Sequence, residues 1–95
     1  MRRSYMKNSS AIVAPFGIRM NAISPGNIFF KGSTWERKSK EDPEVTQRYI
    51  SENVPLQRFG TPDDIANLVC YLVSENASFI TGANFIVDGG QTRRI

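Results

Sequence analysis

The feature that most constrains the fold is a pair of short strand patterns with two helical patterns between them. Residues 18–24 alternate apolar and polar side chains, which is the period of a half-covered strand. Pro25 and Gly26 follow and are expected to end this strand. A second, apolar strand is predicted at residues 85–87, because Asp-Gly-Gly comes directly after it.

Two helices are predicted between these strands. The first begins at the N-cap Asp42, has Pro43 in its first turn and ends before Pro55. Its apolar stripe consists of Val45, Tyr49 and Ile50. The second begins at the N-cap Thr61, with Pro62 and two aspartates in its first turn. Its broader apolar stripe consists of Ile65, Leu68, Val69, Leu72 and Val73.

This order of elements predicts an incomplete α/β fold. Strands joined through helices indicate a right-handed parallel crossover. Parallel sheets need cover on both faces and more strands than two. We therefore expect these strands to form the edge of a larger sheet whose other strands lie outside the 95 residues. Residues 1–13 show no helical or strand periodicity.

The composition argues against several kinds of site. The chain has no histidine and one cysteine, so a zinc or iron–sulfur site lacks ligands and no metal site is predicted. Cys70 lies inside the second helix, where we expect it to pack as a small residue, and a single cysteine suits a reducing cytoplasm. No apolar run approaches the roughly 20 residues that span a bilayer. The basic N-terminus lacks the hydrophobic segment of an export signal. We expect a cytoplasmic protein without a membrane partner.

The net charge of +3 raises the question of a nucleic-acid partner. Most of the positive residues fall into three separate groups, of which the middle one is largely cancelled by acidic neighbours and the last is Arg93 with Arg94. A nucleic-acid site needs positive charge collected on one face, with aromatic residues interspersed. The pattern therefore favours solvated surface, and no nucleic-acid partner is predicted.

Three segments together resemble the C-terminal part of the short-chain dehydrogenase/reductase family, with a likeness to its 3-oxoacyl-acyl-carrier-protein reductases. Residues 14–26 (APFGIRMNAISPG) resemble the family's sixth strand and its Pro-Gly motif. Residues 55–66 (PLQRFGTPDDIA) resemble the start of its last long helix, and residues 78–90 (SFITGANFIVDGG) resemble its last strand. The resemblance implies that residues 14–95 are the C-terminal edge of a Rossmann-type doubly wound sheet. Residues 1–13 would be a non-matching or degenerate remnant of the catalytic helix.

The resemblance also implies a nicotinamide cofactor, NAD or NADP, beyond the carboxyl ends of the strands. In the family, the backbone just after the Pro-Gly motif holds the nicotinamide carboxamide. That role carries over to Pro25, Gly26, Asn27 and Ile28. Because Gly26 has no side chain, a flat ring is able to approach its backbone. The family often places a threonine two positions after the isoleucine, where this chain has Phe30.

Residues 29–50 match the family's variable lid, which covers a carbonyl or secondary-alcohol substrate. Residues 27–40 are predicted to form an ordered loop or a short helix. Phe29, Phe30 and Trp35 supply an apolar wall that excludes water from hydride transfer, or they pack against parts of the protein absent from this chain. The aromatic spacing favours neither interpretation.

The family's catalytic groups are not recognisable in the sequence. There is no Gly-rich turn and no Tyr-x-x-x-Lys pair. Lys7 follows Tyr5 at two residues and not at four, which places it on the wrong side of a helix to support that tyrosine. We predict no catalytic residue, and no dehydrogenase activity, for the isolated chain. The alternative is a non-enzymatic module that self-associates through the segment from Ile65 to Val87, a region that forms subunit contacts in the family.

Overall fold

The computed structural model describes residues 2–92. Its elements are helix α1 (Arg2–Val13), strand β1 (Ala22–Pro25), helices α2 (Thr34–Glu41), α3 (Pro43–Asn53) and α4 (Pro62–Leu72), and strand β2 (Asn84–Val87). Short 3-10 turns, Ala14–Phe16 and Glu75–Ala77, follow α1 and α4. The basic pair Arg93 and Arg94 lies outside the described residues.

The strands β1 and β2 form a two-stranded parallel sheet, with Ala22 beside Asn84 and Pro25 beside Val87. This confirms the parallel α/β class. Strand β2 begins one residue earlier than predicted. Strand β1 differs more, because it spans Ala22–Pro25 and not residues 18–24.

Side-chain hydrogen bonds explain the late start of β1. The Met20 N–H donates to the Thr81 hydroxyl at 3.0 Å, so this part of the chain lies beside a loop and not beside a strand. The Asn21 amide donates to the Ile80 carbonyl at 3.1 Å and accepts from the Ala83 N–H at 3.1 Å. These bonds take the place of ladder bonds. Regular pairing therefore begins at Ala22, whose N–H donates to the Ala83 carbonyl at 2.9 Å.

Helices α3 and α4 begin where the capping residues predicted. The Asp42 carboxylate accepts from the Val45 N–H at 3.2 Å. At α4, Thr61 accepts from the Asp64 N–H at 3.3 Å, and the Asp64 carboxylate accepts from the Thr61 N–H at 2.8 Å. This reciprocal pair is a capping box, which satisfies two otherwise unpaired N–H groups.

The predicted apolar stripes are only partly buried. Ile50 is buried in α3, together with the unpredicted Thr46, whereas Val45 is exposed. In α4 Leu72 is buried and Val69 is exposed, and Val73, the residue that caps the end of the helix, is exposed as well. The stripe residues Val45, Val69 and Val73 are therefore not covered by the described part of the chain. Cys70 is also exposed, so the prediction that it packs is wrong for this chain.

Residues without recognisable periodicity form helix α1. The hydrogen bonds that hold it are polar contacts, which leave no apolar stripe in the sequence. The Lys7 ammonium donates to the Gly82 carbonyl at 2.9 Å, and the buried Ser10 hydroxyl donates to the Lys7 carbonyl at 2.7 Å. A Cβ on Gly82 would come within 2.7 Å of the Ser10 hydroxyl, so α1 lies tightly against this loop. That residues 1–13 are a degenerate remnant stays a prediction.

The core is small for the length of the chain. The buried apolar side chains in the described part are Ile50, Val54, Leu72 and Ala77. The radius of gyration is 16.3 Å, against about 12 Å for a compact domain of this length. The accessible surface is 7333 Å², against about 5,500 Å² for a folded monomer of this mass. The elements therefore adopt the arrangement of a sheet edge without the cover that a complete α/β domain supplies.

Candidate functional site

Five of the seven predicted cofactor and lid residues line one groove, and Asn27 and Phe29 lie outside its lining. This groove, here called the Phe30 groove, has a volume of about 740 Å³ and lies between the end of β1, the start of α2 and the start of α4. The predicted residues along it are Pro25, Gly26, Ile28, Phe30 and Trp35, and α4 adds Pro62, Ile65 and Ala66. Its volume falls in the range of small-molecule sites, about 300–1,000 Å³.

The backbone on either side of Ile28 is tied to the turn before α4. The Gly60 N–H donates to the Asn27 carbonyl at 2.9 Å, and the Phe29 N–H donates to the Gly60 carbonyl at 2.8 Å. In such a parallel bridge the central residue directs its own N–H and C=O to the other side. Within residues 2–92, these two groups of Ile28 have no hydrogen-bond partner. A donor and an acceptor from one residue are therefore available beside the Phe30 groove.

Gly26 is required by a neighbouring strand. Its N–H donates to the Val87 carbonyl at 2.8 Å, and a Cβ at this position would lie 2.6 Å from the Asp88 Cβ and 2.8 Å from the Asp88 Cα. These atoms belong to the backbone and the first side-chain carbon, so they cannot swing aside. The end of β2 alone accounts for the glycine, and close approach of a flat ring stays a prediction.

Asn27 is held by a hydrogen-bond chain that the sequence did not reveal. Its amide donates to the Gln91 side-chain carbonyl at 2.6 Å, and the Gln91 amide donates to the Tyr49 hydroxyl at 3.3 Å. This chain links the end of β1 to α3. The signal available in the sequence was the position of Gln91 just beyond a strand, because polar residues at the carboxyl ends of parallel strands meet at one edge.

Two of the three lid aromatics pack within the chain. Phe29 lies on Phe59 with ring centroids 5.3 Å apart, and Trp35 lies on Tyr49 at 5.1 Å and on Phe59 at 5.2 Å. Trp35 also borders the Phe30 groove. Phe30 itself is 50% exposed. The structure thus adds Phe59 and Tyr49 as partners, which neither interpretation of the aromatics had anticipated.

Two carboxylates near the site are held ionised by hydrogen bonds. Hydrogen bonds lower the pKa of Asp64 below its ordinary 3.8. The bond from the Thr61 N–H contributes most, and the bond from the Arg58 guanidinium comes second. A hydrogen bond from Thr92 lowers the pKa of Asp88 below the same value. Both groups are therefore charged at neutral pH and suit a structural role better than proton transfer, which needs a pKa near the working pH.

Tyr5 and Lys7, the N-terminal tyrosine and lysine, have different surroundings and do not act as a pair. Lys7 donates to the Gly82 carbonyl, and the Tyr5 side chain is exposed. Lys7 thus anchors α1 to the loop before β2. In the part of the chain that the structure describes, no three metal-ligating side chains cluster and no helix has the length and apolarity to cross a membrane.

Comparison with known proteins shows which family the chain resembles in sequence. The family described as Enoyl-(Acyl carrier protein) reductase matches residues 3–92. Isoepoxydon dehydrogenase patN of Penicillium expansum is 43% identical over 86 residues, which is 90% of this chain and 33% of that protein. Dehydrogenase/reductase SDR family member 4 of Mus musculus is 40% identical over 91 residues, 94% of this chain and 30% of that protein.

A solved structure gives the same result for the fold. The chain superimposes on 4-hydroxyisoleucine dehydrogenase complexed with NADH with a TM-score of 0.83 and 32% identity, covering 98% of this chain and 37% of that one. The chain therefore belongs to the short-chain dehydrogenase/reductase family. It spans about a third of the length of the relatives that it matches.

Proposed function

We propose that this chain is the C-terminal part of an NAD(P)-dependent oxidoreductase that acts on a carbonyl or secondary alcohol. The observation that carries the proposal is that Ile28, which lines the Phe30 groove, has an N–H and a C=O without a hydrogen-bond partner within residues 2–92. A primary carboxamide offers one donor group and one acceptor, which match this pair. Family membership supports the same cofactor class, since the 4-hydroxyisoleucine dehydrogenase relative is complexed with NADH.

Within this proposal the predicted site residues have distinct tasks. When bound, the nicotinamide group supplies or accepts a hydride. The backbone of Ile28 holds its carboxamide, while Pro25, Gly26 and Asn27 fix the path of the chain at the end of β1. Phe30 and Trp35 form an apolar wall that excludes water. Because Phe30 has no hydroxyl, it contributes shape and not the hydrogen bond that a threonine offers there.

The isolated chain is expected to lack turnover. Its sequence contains neither a Gly-rich turn for the pyrophosphate nor a Tyr-x-x-x-Lys pair, and Lys7 is engaged by Gly82. The test measures NADH and NADPH oxidation with a panel of ketones that includes 3-oxoacyl thioesters. A full-length family member run on the same panel is the positive control. Turnover well above background by the 95-residue chain would disprove this part of the proposal.

The proposal extends to the substrate, the cofactor and the cellular compartment of the parent enzyme. Its substrate is a small-molecule carbonyl compound, and the likeness to 3-oxoacyl-acyl-carrier-protein reductases makes a 3-oxoacyl thioester the first compound to try. The cofactor is NAD or NADP. The low cysteine content favours the cytoplasm.

A second candidate function is self-association without catalysis. It is favoured by the apolar side chains exposed between Ile65 and Val87, which include Tyr71, Phe79 and Ile86. Exposed apolar patches of this kind are characteristic of protein–protein contacts. In this alternative the chain acts as an interaction module, and the groove residues have no ligand to bind.

A further inference from the structure

The side chain of Gln91 lies between the end of β1 and helix α3. Its amide oxygen accepts from the Asn27 amide at 2.6 Å, and its amide N–H donates to the Tyr49 hydroxyl at 3.3 Å. All three side chains belong to half-buried residues, where water competes less for such bonds than at an exposed surface. A carboxamide carries an acceptor and a donor on one planar group, so Gln91 serves both neighbours at once. This chain of hydrogen bonds is here called the Gln91 link.

The turn after β2 holds Gln91 in place from its own side. The Asp88 carboxylate accepts from the Gly90 N–H at 3.0 Å and from the Thr92 N–H at 2.8 Å. The Gln91 N–H donates to the Asp88 carbonyl at 3.3 Å. These bonds fix the backbone before, at and after Gln91. The turn therefore presents the Gln91 side chain to its two partners.

At one end, the Gln91 link reaches the backbone of Ile28. The Asn27 carbonyl accepts from the Gly60 N–H at 2.9 Å, and in a trans peptide the following N–H, that of Ile28, points the opposite way. The Phe29 N–H donates to the Gly60 carbonyl at 2.8 Å and turns the Ile28 carbonyl away in the same manner. Gly60 thus orients both peptide planes from one side. The Asn27 side chain, held by Gln91, restrains the residue that precedes them.

At its other end, the Gln91 link reaches the wall of the Phe30 groove. Tyr49 lies on α3, and its ring packs on that of Trp35 in α2 with centroids 5.1 Å apart. Trp35 borders the groove. A second route joins the same regions through aromatic rings, since Trp35 lies 5.2 Å from Phe59 and Phe59 lies 5.3 Å from Phe29. The hydroxyl of Tyr49 belongs to the hydrogen-bonded route alone.

We propose that Gln91 is a positioning residue of the cofactor site. It keeps the N–H and C=O of Ile28 in one orientation and ties that orientation, through Tyr49, to the position of Trp35 beside the Phe30 groove. A carboxamide that binds Ile28 therefore meets oriented partners and a placed apolar wall together. The inference rests on the proposed function for its ligand, whereas the Gln91 link itself lies within the chain.

The first test replaces Gln91 in the full 95-residue chain and follows both ends of the link. Gln91→Met removes both hydrogen bonds at a similar side-chain length. Exchange of the Phe29 and Gly60 amides should become about fivefold faster, because a restraint on their hydrogen bonds is lost. The emission of Trp35, the only tryptophan of the chain, should shift to longer wavelength as its contact with Tyr49 loosens.

Two further variants separate the hydrogen bonds from general damage. Gln91→Glu should restore slow exchange and the original emission, because a carboxylate accepts from the Asn27 amide and from the Tyr49 hydroxyl. Gln47→Met makes the same change as Gln91→Met at an exposed position of α3 and should alter neither reading. The Val73 amide, which donates to the Val69 carbonyl at 3.0 Å, should keep its exchange rate in every variant.

A double-mutant cycle tests the coupling between the two ends. Tyr49→Phe keeps the ring on Trp35 and removes the hydroxyl, so the aromatic route stays intact. Exchange of the Phe29 and Gly60 amides should become about twofold faster or more in the unaltered background and should not change further in Gln91→Met, where the link is already broken. If Gln91→Met also loosens the Val73 amide, Tyr49→Phe and Gln91→Glu carry the test.

Three results would overturn the inference. These are a Gln91→Met variant that behaves like Gln47→Met, a Gln91→Glu variant that behaves like Gln91→Met, and additive effects of Gln91→Met and Tyr49→Phe. Saturation-transfer NMR with NADH tests the proposed function separately. Absence of contact between NADH and the chain would count against that function, while the exchange and emission results would still decide whether Gln91 positions Ile28.

Discussion

Two glycines next to the candidate site face different neighbours. A Cβ at Gly26 would meet the Cβ and Cα of Asp88 at 2.6 and 2.8 Å, atoms that the end of β2 holds in place. A Cβ at Gly60 would meet the Ile28 Cδ1 at 2.7 Å, the far end of a side chain that can rotate. Replacing these glycines therefore separates a fixed backbone contact from an adaptable one.

Gly26→Ala should weaken the pairing of β1 with β2 by about 1–3 kcal/mol, the usual cost of overpacking. Gly60→Ala should cost clearly less, because Ile28 can change its side-chain rotamer. Hydrogen exchange at the Ala22 amide, which donates across the sheet, reports the difference. Equal protection in both variants would contradict the assignment of Gly26 to a close approach with Asp88.

Asp64 and Asp88 make the stability of two segments depend on pH in the acid range. These segments are the start of α4 and the turn after β2. The pKa of each carboxyl is lowered in the folded chain. The largest cause is the hydrogen bond from the Thr61 N–H for Asp64, and the hydrogen bond from Thr92 for Asp88. A carboxyl with a lower folded pKa stabilises the fold above its unfolded pKa, and that contribution is lost as the pH falls through the folded value. The loss should therefore begin near the ordinary value of 3.8 and continue below it.

Each aspartate serves as the control for the other. Asp64→Asn should remove the acid-induced loss of amide protection at the start of α4 and leave that of the Gly90 and Thr92 amides intact. Asp88→Asn should do the reverse. Exchange rates of these amides between pH 5 and pH 2, corrected for intrinsic exchange, measure both. A variant that changes both ends together would show that one cooperative unit titrates, and not two local ones.

At the scale of elements, the end of α4 depends on one side chain from outside the helix. The Arg19 guanidinium donates to the carbonyls of Leu72 at 2.8 Å, Ser74 at 3.3 Å and Ile80 at 3.3 Å. The last carbonyls of a helix have no partner within it, so an external cation is a favourable cap. Arg19 thereby fixes α4 against the segment that leads into β1.

Arg19→Met should lower the protection of amides in the last turn of α4 by about 1–3 kcal/mol, because carbonyls lose a charged donor. The matched control is Arg37→Met in α2, whose guanidinium is 4.0 Å from Glu41 in an exposed pair. Exposed pairs contribute about 0–1 kcal/mol, so this change should be close to neutral. Comparable losses in the two variants, measured by hydrogen exchange, would argue against the capping role.

At the scale of the molecule, the chain has elements without enough packing to cover them. Phe79 is fully exposed, and Tyr71 and Ile86 are about half exposed. A sheet of two strands has an open edge and little core, so the isolated chain should self-associate or retain only loosely packed tertiary structure. This expectation depends on the exposed apolar area of the chain and not on any ligand.

Sedimentation of the isolated chain should show oligomers, and heating should give no sharp cooperative transition. Phe79→Asp should shift the distribution toward monomer if residues 65–87 form the contact, because a charge would be buried there. Phe16→Asp is the control, since Phe16 is also strongly exposed but lies outside that segment. A sharp monomeric boundary for the unaltered chain, together with a cooperative thermal transition, would contradict the expectation.

Local chemistry was sufficient to predict the elements whose ends are capped. Asp42 and Thr61 placed the starts of α3 and α4, because a capping side chain acts within three residues. The order of strands and helices predicted the parallel pairing. Helix α1 was missed, since its contacts with Gly82 are polar and leave no periodic signature. For the site, Pro25 and Gly26 line the Phe30 groove, and their role in cofactor binding stays a prediction. The link from Asn27 through Gln91 to Tyr49 was missed, because these residues are distant in sequence.

The sequence by itself determined the family and the capped helices, because these depend on residues close together along the chain. It also determined the parallel direction of the sheet, because helices connect the two strands. Only the tertiary structure decided which atoms Gly26 must avoid, where β1 begins, and that the N–H and C=O of Ile28 have no partner among the described residues. It also decided that Val69 and Val73 stay exposed. An apolar stripe predicts that a face needs cover, but burial depends on a second surface, and in this chain no element supplies it within residues 2–92.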